Sequence, residues 1–346
     1  MTSTPTYQRF VGIDIAAKTA TVAVTALQAT VTRPFLIEQT PAGIAALIQR
    51  LQAGGVPPTA ILVVLEATGS YWITLATALH HAGFAVSVIN PAQAHAFAKA
   101  LLKRAKTDAI DAQTLAQLAA LLQPAPWTPP PAVYYELQQR LAQRDALLDL
   151  RQQVRNQLHA LVQHPVVIAT VRARMETLIA TLTTQILEVE GELAGALAMD
   201  AAWAAAAERL QSIKGIGLLT AGWILVTTLN FSVCATAEEA TAYAGLAPNE
   251  GRSGTSVWKR PQIGHTGNAR LRTALYLATL NAAQTNPAIK TFYNRLLAAG
   301  KLKKVARCAA ARKLLHVAWA VVTKEQLWDP NYQQQQQQPS SVQIAA

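Results

Sequence analysis

Five prolines fall within nine residues, 123–131, and no other feature of the chain restricts its folding as strongly. Proline lacks a backbone N–H and pushes the residue before it out of the helical region. Neither a helix nor a paired strand can run through this stretch, which reads as a stiff, extended linker. Apolar residues on its two sides must find separate cores, and 346 residues suffice for two or three.

The pattern before the linker is that of an α/β sheet. Phe10, Val11, Ile13 and Ile15 form a β-rich run, residues 19–25 alternate in a second, and residues 35–38 add a short third. Residues 41–52 place Ile44, Leu47, Ile48 and Leu51 on one helical face. Residues 61–65 are continuously apolar, as expected of a strand buried on both faces. A helix over 71–82, a buried strand over 84–89 and a helix over 91–102 follow. This order predicts a sheet with helices packed on it.

After the linker the pattern turns helical. Leu147, Leu150, Val154, Leu158 and Leu161 form one stripe, and Leu178, Leu182, Ile186, Val189, Leu193 and Leu197 form another, with Pro165 between them. Two such stripes fit an antiparallel arm whose seam also serves dimerisation, and equally an ordinary helical hairpin. A further helical region begins near Glu208, and the chain ends in a glutamine-rich tract of low complexity.

Lys and Arg number 30 against 19 Asp and Glu, a net charge of +11 that favours a polyanionic partner, most often nucleic acid. The two cysteines, Cys234 and Cys308, are far apart, which argues against a zinc site or a disulfide framework and fits a reducing cytoplasm. Residues 1–9 lack the charged start and apolar core of an export signal. The most apolar stretch, 216–231, carries two glycines, falls short of the roughly 18 residues of a membrane span, and reads as a buried helix.

Acidic residues interrupt the apolar strands. Asp14 sits near the end of the first and Glu66 just past the continuous run. A buried carboxylate is costly unless paired or bound to a cation, although each alone also fits a strand-end hydrogen bond or a helix cap. Asp108 and Asp111 stand one turn apart at a helix start, where the helix dipole favours acids. A divalent cation would convert their repulsion into coordination, and magnesium prefers such oxygen ligands. Lys103, Arg104 and Lys106 just upstream suit a phosphate beside it.

The C-terminal half offers different chemistry. Ile213-Lys-Gly215-Ile-Gly217 has the look of a helix-hairpin-helix, with amides free for a phosphate, or of a plain glycine turn between core helices. Residues 249–257 are rich in glycine and hydroxyls and read as a loop, with Arg252 and Ser253 inside it. Lys259, Arg260, His265, Asn268, Arg270 and Arg272 follow closely. A serine among glycine amides and arginines suits attack on a phosphodiester, although a Ser-Gly pair in a basic loop is usually only a loop.

These segments together resemble the DEDD transposases of the insertion sequence 110 family. Leu65-Glu-Ala-Thr-Gly-Ser-Tyr71, Lys106-Thr-Asp-Ala-Ile-Asp-Ala112, Gly245-Leu-Ala-Pro248, Ser253-Gly254 and Gly267-Asn-Ala-Arg-Leu-Arg272 carry the likeness, which extends over residues 9–323. His265 departs from it, since relatives often have lysine there. The resemblance implies an RNase H-like (RuvC-like) α/β domain over 8–122 and a Pro-rich linker over 123–132. It further implies a coiled-coil arm over 133–200, a mainly α domain with the serine over 207–328, and a disordered tail over 329–346. It implies Mg²⁺ held by Asp14, Glu66, Asp108 and Asp111, and Ser253 as nucleophile, with Ser256 its nearest rival. The implied partners are donor and target DNA, an element-encoded bridge RNA as guide, and further copies of the chain in a dimer or tetramer. The implied place is the bacterial cytoplasm at the nucleoid, with no membrane. A metal-dependent nuclease or junction resolvase using the acids alone is the rival reading, and a non-catalytic nucleic-acid-binding protein is a third.

Overall fold

The computed structural model describes residues 7–102, 107–253, 257–264 and 266–330, and the side chains of 249–261 are not among what it describes. The chain forms two compact units that meet in sequence between Pro129 and Pro130.

The first unit is a five-stranded mixed sheet with helices on both faces. In chain order it runs β1 (Arg9–Ile15), β2 (Thr19–Thr25), β3 (Phe35–Glu38), α1 (Pro41–Gln52), β4 (Ile61–Glu66), α2 (Trp72–His81), β5 (Ala85–Ile89), α3 (Pro91–Ala100) and α4 (Asp108–Leu122). The spatial order is β3-β2-β1-β4-β5. The first three strands are joined antiparallel as a meander, while β1, β4 and β5 run parallel. This arrangement is consistent with an RNase H-like fold.

The two-residue period of a strand sends its side chains to alternate faces. Val11 and Ile13 of β1 join Val63 and Leu65 of β4, Leu47 of α1 and Leu75 of α2 in one core. Phe10 of β1 joins Leu62 and Val64 of β4, Ala94 of α3, and Leu115 and Leu118 of α4 in the other. Helix starts are marked by the sequence itself. Thr40 caps α1 before Pro41, Asn90 caps α3 before Pro91, and Thr107 caps α4 by accepting from the Ile110 N–H.

The proline-rich stretch is extended, as its composition requires, but its first part is anchored. The Trp127 N–H donates to the carbonyl of Val86 on β5 at 2.6 Å. Its ring packs on the core and meets Trp72 edge-on at 5.4 Å.

The second unit is mainly helical. It comprises α5 (Ala132–Leu161), α6 (Ala169–Ala198), α7 (Ala201–Ser212), α8 (Leu218–Thr228) and α9 (Ala237–Tyr243). A ribbon of β6 (Asn249–Ser253) and β7 (Val257–Gln262) follows, then α10 (Ala269–Thr285), α11 (Pro287–Ala298) and α12 (Lys303–Thr323). Helices α5 and α6 form a long hairpin. Its base is part of the main core, where Val133, Leu137, Leu141, Leu193 and Leu197 pack with α7, α8, α10 and α12. Further out, Leu147, Leu182, Ile186 and Val189 make a smaller seam. Leu150 and Leu178, which the stripes assign to that seam, are instead about half exposed. Among the described residues no helix is long and apolar enough to cross a membrane. The apolar stretch near residue 220 is α8, which buries Ala221, Ile224, Leu225 and Val226 in the core.

Candidate active site

Sheet register brings the first two acids together. In the parallel pairing of β1 with β4, Ile13 stands opposite Leu65. One step further places Asp14 beside Glu66, on strands spaced about 4.8 Å apart. Phe10 and Val64 show which face these residues share, because both pack against the core that includes α4. Asp14 and Glu66 thus leave the C-terminal ends of two adjacent parallel strands on the α4 side.

Gly12 brings α4 to them. A Cβ at Gly12 would lie 2.1 Å from the Ala116 nitrogen and 2.2 Å from the Ala112 carbonyl oxygen. The α4 backbone therefore lies against β1 at a distance that only glycine permits. The small residues Ala112 and Ala116, both fully buried, complete the approach together with Ala23 of β2. Asp111 directly precedes Ala112, and Asp108 lies one turn further back, so the first turn of α4 is delivered to the strand ends. Asp108 is exposed and Asp111 half-buried.

The electrostatics record this convergence. The Asp14 carboxyl is pushed up to about 6, first by burial, then by the charges of Asp111, Asp108 and Glu66. The Ile15 amide opposes the shift by hydrogen bonding. Glu66 Oε1 accepts a hydrogen bond from the Thr68 hydroxyl at 2.6 Å, which orients one carboxylate oxygen. Among the described residues, no group of three or more His, Cys, Asp or Glu is arranged as a ready metal site. The donors are all carboxylates whose charges repel, and a hard divalent cation would relieve that repulsion. The chemistry of the donor set thus fits such an ion. Lys103, Arg104 and Lys106 lie outside the described residues.

In the second unit, the turn between α7 and α8 carries Gly215 and Gly217. Gly215 has φ +103°, and a Cβ there would meet the Ala282 Cβ of α10 at 2.5 Å. The Asn286 side chain donates to the adjacent Lys214 carbonyl. Gly217 is exposed and opens α8 with no side-chain cap. Gly215 thus serves packing, and Gly217 borders open space.

Residues 249–262 form a two-stranded antiparallel ribbon where composition suggested a loop. Ser253 pairs with Val257, and an irregularity lies between Asn249 and Gly251. Glycine and asparagine are poor strand formers by propensity, so the cross-strand ladder rather than composition makes this element. Ser253 is the last residue of β6. Ser256 and His265 lie outside the described residues, as do the side chains of Arg252, Ser253, Lys259 and Arg260.

Three of the residues after the ribbon have partners within the unit. Asn268 caps α10 by accepting from the Leu271 N–H. Arg272 donates to the carbonyls of Thr266 and Ala244 at 3.0 and 3.3 Å, tying the segment before α10 to the end of α9. Arg270 pairs with Asp145 of α5 and lies over the Trp223 ring at 4.7 Å. Burial and neighbouring Arg144 lower its pKa. Sequence reasoning missed both Gly12 and Asp145. An acid within the amphipathic helix α5 resembles any solvated charge, and the only trace of Gly12 is a glycine inside a β-rich run.

Comparison with known proteins covers both units. A family model described as Transposase, of the DEDD type of IS110 elements, matches residues 11–165. A second, described as Transposase IS116/IS110/IS902 family, matches residues 207–294. The pilin gene-inverting protein of Moraxella bovis is 31% identical over 323 residues, covering 92% of this chain and 97% of that protein. Its counterpart from Moraxella lacunata is 31% identical over 282 residues, or 81% and 85%. An uncharacterized 43.6 kDa protein of insertion element IS110 from Streptomyces coelicolor is 31% identical over 137 residues, or 40% and 32%.

Proposed function

The chain belongs to the IS110 family of transposases and is a DNA recombinase, and from that premise we propose how its two units divide the chemistry. Asp14, Glu66, Asp108 and Asp111 act as one divalent-cation site, with Mg²⁺ as the ion. Ser253 is the nucleophile. The observation that carries the cation site is the placement of Asp14 beside Glu66 at adjacent parallel strand ends, with the first turn of α4 brought against β1 at Gly12.

When bound there, the cation supplies Lewis acidity and a template for the phosphate. The Ser253 hydroxyl attacks phosphorus, a Ser–O–P bond forms, and the bond to the leaving deoxyribose oxygen breaks. The hydroxyl proton ends on that leaving oxygen. Reversal with a different strand end rejoins DNA and frees the serine. One phosphodiester is exchanged for another, so no external energy source is needed. A serine hydroxyl is a weak nucleophile at neutral pH and needs a proton acceptor or charge stabilisation. The basic residues around the ribbon, Arg252, Lys259, Arg260, His265 and Arg270, suit the second need, and Gly217 and Lys103, Arg104 and Lys106 suit backbone contact.

The relatives named for inverting a pilin gene support rejoining over simple hydrolysis, since an inverted segment must be religated at both ends. Guidance by an element-encoded RNA, assembly as a dimer or tetramer through the α5–α6 hairpin as a coiled-coil arm, and work at the nucleoid complete the proposal. The test is a denaturation-resistant protein–DNA adduct mapped by mass spectrometry. It should carry Ser253 in the wild type and vanish in Ser253→Ala while persisting in Ser256→Ala. An adduct on Tyr243 or Tyr276 rules out the serine, and cleavage with no adduct at all favours the nuclease.

A further inference from the structure

The charge of this chain is not spread over it. Residues 251–324 hold 14 of its 30 Lys and Arg and none of its 19 Asp and Glu. The remainder, with 16 cations against 19 acids, is slightly acidic. The entire positive excess therefore belongs to the ribbon and helices α10–α12.

Several cations on the α5–α6 hairpin are answered from within. On the hairpin, Arg140 pairs with Glu136 and Glu192, Arg144 with Glu190, and Arg172 with Glu176. On α11, α12 and the turn between them, Lys290, Lys301, Lys303 and Lys304 are exposed. Among the described residues none of the four forms an ion pair, and the acid-free sequence around them offers no local partner. Lys303 and Lys304 even occupy the first turn of α12, which has no acid and no side-chain cap. Cations are disfavoured at that end of a helix, so local helix stability does not explain them. Helix α11, of 12 residues, is about 18 Å long, the span of roughly five successive phosphates on one DNA strand.

We propose that the α11–α12 edge, through Lys290, Lys301, Lys303 and Lys304, is a docking surface for the phosphate backbone of duplex DNA, separate from the residues that carry the chemistry. This rests on the recombinase reading, which makes DNA the substrate, and adds where the duplex is held. The four residues are lysine point charges rather than planar forks, so they hold DNA without reading sequence.

The test uses the full-length chain and a labelled duplex of arbitrary sequence, with affinity followed by anisotropy across a salt series. The quadruple variant Lys290→Gln, Lys301→Gln, Lys303→Gln, Lys304→Gln should bind at least about tenfold more weakly, with a salt slope shallower by about 3. Its unfolding midpoint should not change, because the four side chains are exposed. A charge-matched variant, Lys18→Gln, Arg33→Gln, Arg155→Gln, Arg174→Gln, should lose far less. Equal loss in both variants overturns the proposal in favour of a net-charge effect. So does a lysine variant that loses affinity for a structured RNA but keeps it for the duplex. A wild-type chain that binds no duplex overturns the recombinase reading itself, an outcome distinct from any difference between variants.

Discussion

The two units hold their candidate chemistry by opposite means. In the first, three elements fix four acids: adjacent parallel strands deliver Asp14 and Glu66, and a helix pressed against Gly12 delivers Asp108 and Asp111. In the second, Ser253 ends one strand of a two-stranded ribbon between α9 and α10, while Asn268, Arg270 and Arg272 tie the start of α10 to the core. A cation site needs donors whose mutual repulsion is held by a rigid scaffold, and a sheet with a docked helix provides one. The serine proposed as nucleophile, by contrast, stands at a strand end, and reactive residues are often carried outside the rigid elements that position them. The same division explains the cations. Arg270 and Arg272, just after the ribbon, brace the fold, while Lys290, Lys301, Lys303 and Lys304 form no ion pair among the described residues.

The largest expected effects fall on activity and ask whether either unit suffices alone. Each of Asp14→Ala, Glu66→Ala, Asp108→Ala and Asp111→Ala should lower strand exchange by more than about a hundredfold without unfolding the chain. Ser253→Ala should do the same. If Ser253→Ala still cleaves DNA while the acid variants do not, the first unit is a nuclease by itself and the comparison breaks.

Next in size is the contact that builds the acid corner. Gly12→Ala forces a methyl into the α4 backbone and should cost about 2–3 kcal/mol in denaturant unfolding. The Asp14 titration should move toward the ordinary carboxylate range as α4 shifts away. An unchanged stability would mean that α4 is not seated as described.

The corresponding tie in the second unit is weaker. Asp145→Asn leaves Arg270 and Arg144 without their shared acid. Because Arg270 is partly exposed, the cost should be about 1–2 kcal/mol by chemical denaturation. No loss would free Arg270 for a purely substrate-facing role.

The smallest effect is a pH dependence. Asp14 has a folded-state pKa raised to about 6. Its stabilising contribution is therefore complete below its unfolded value near 4 and is lost as pH rises through about 6. Without divalent cation, unfolding free energy should fall over that window by about 1 kcal/mol, allowing for the water that partly surrounds the group. Asp14→Asn should flatten the profile, and a flat wild-type profile would mean that the carboxyl is not crowded.

Much of the first unit is legible in its sequence, because strands buried on both faces read as unbroken apolar runs and an acid at their end stands out. Asp14 and Glu66 are visible for that reason. The role of Gly12 is not, since it depends on a helix a hundred residues away. Trp127 is equally hidden, because the partner of its N–H is a sheet-edge carbonyl that no pattern reveals. In the second unit the long helices are legible, but the seam is not read correctly at Leu150 and Leu178. The hairpin crossing selects which residues of a broad apolar stripe face inward. The ribbon of residues 249–262 hides behind a loop-like composition.

The central claim is that four acids spread over nearly a hundred residues form one cation site. It is tested most directly by Mn²⁺ binding, followed by electron paramagnetic resonance, to the full chain and to the four single alanine variants. The account expects saturable binding in the wild type that is weakened strongly, and to a similar degree, in all four. Wild-type affinity in two or more of them would contradict it.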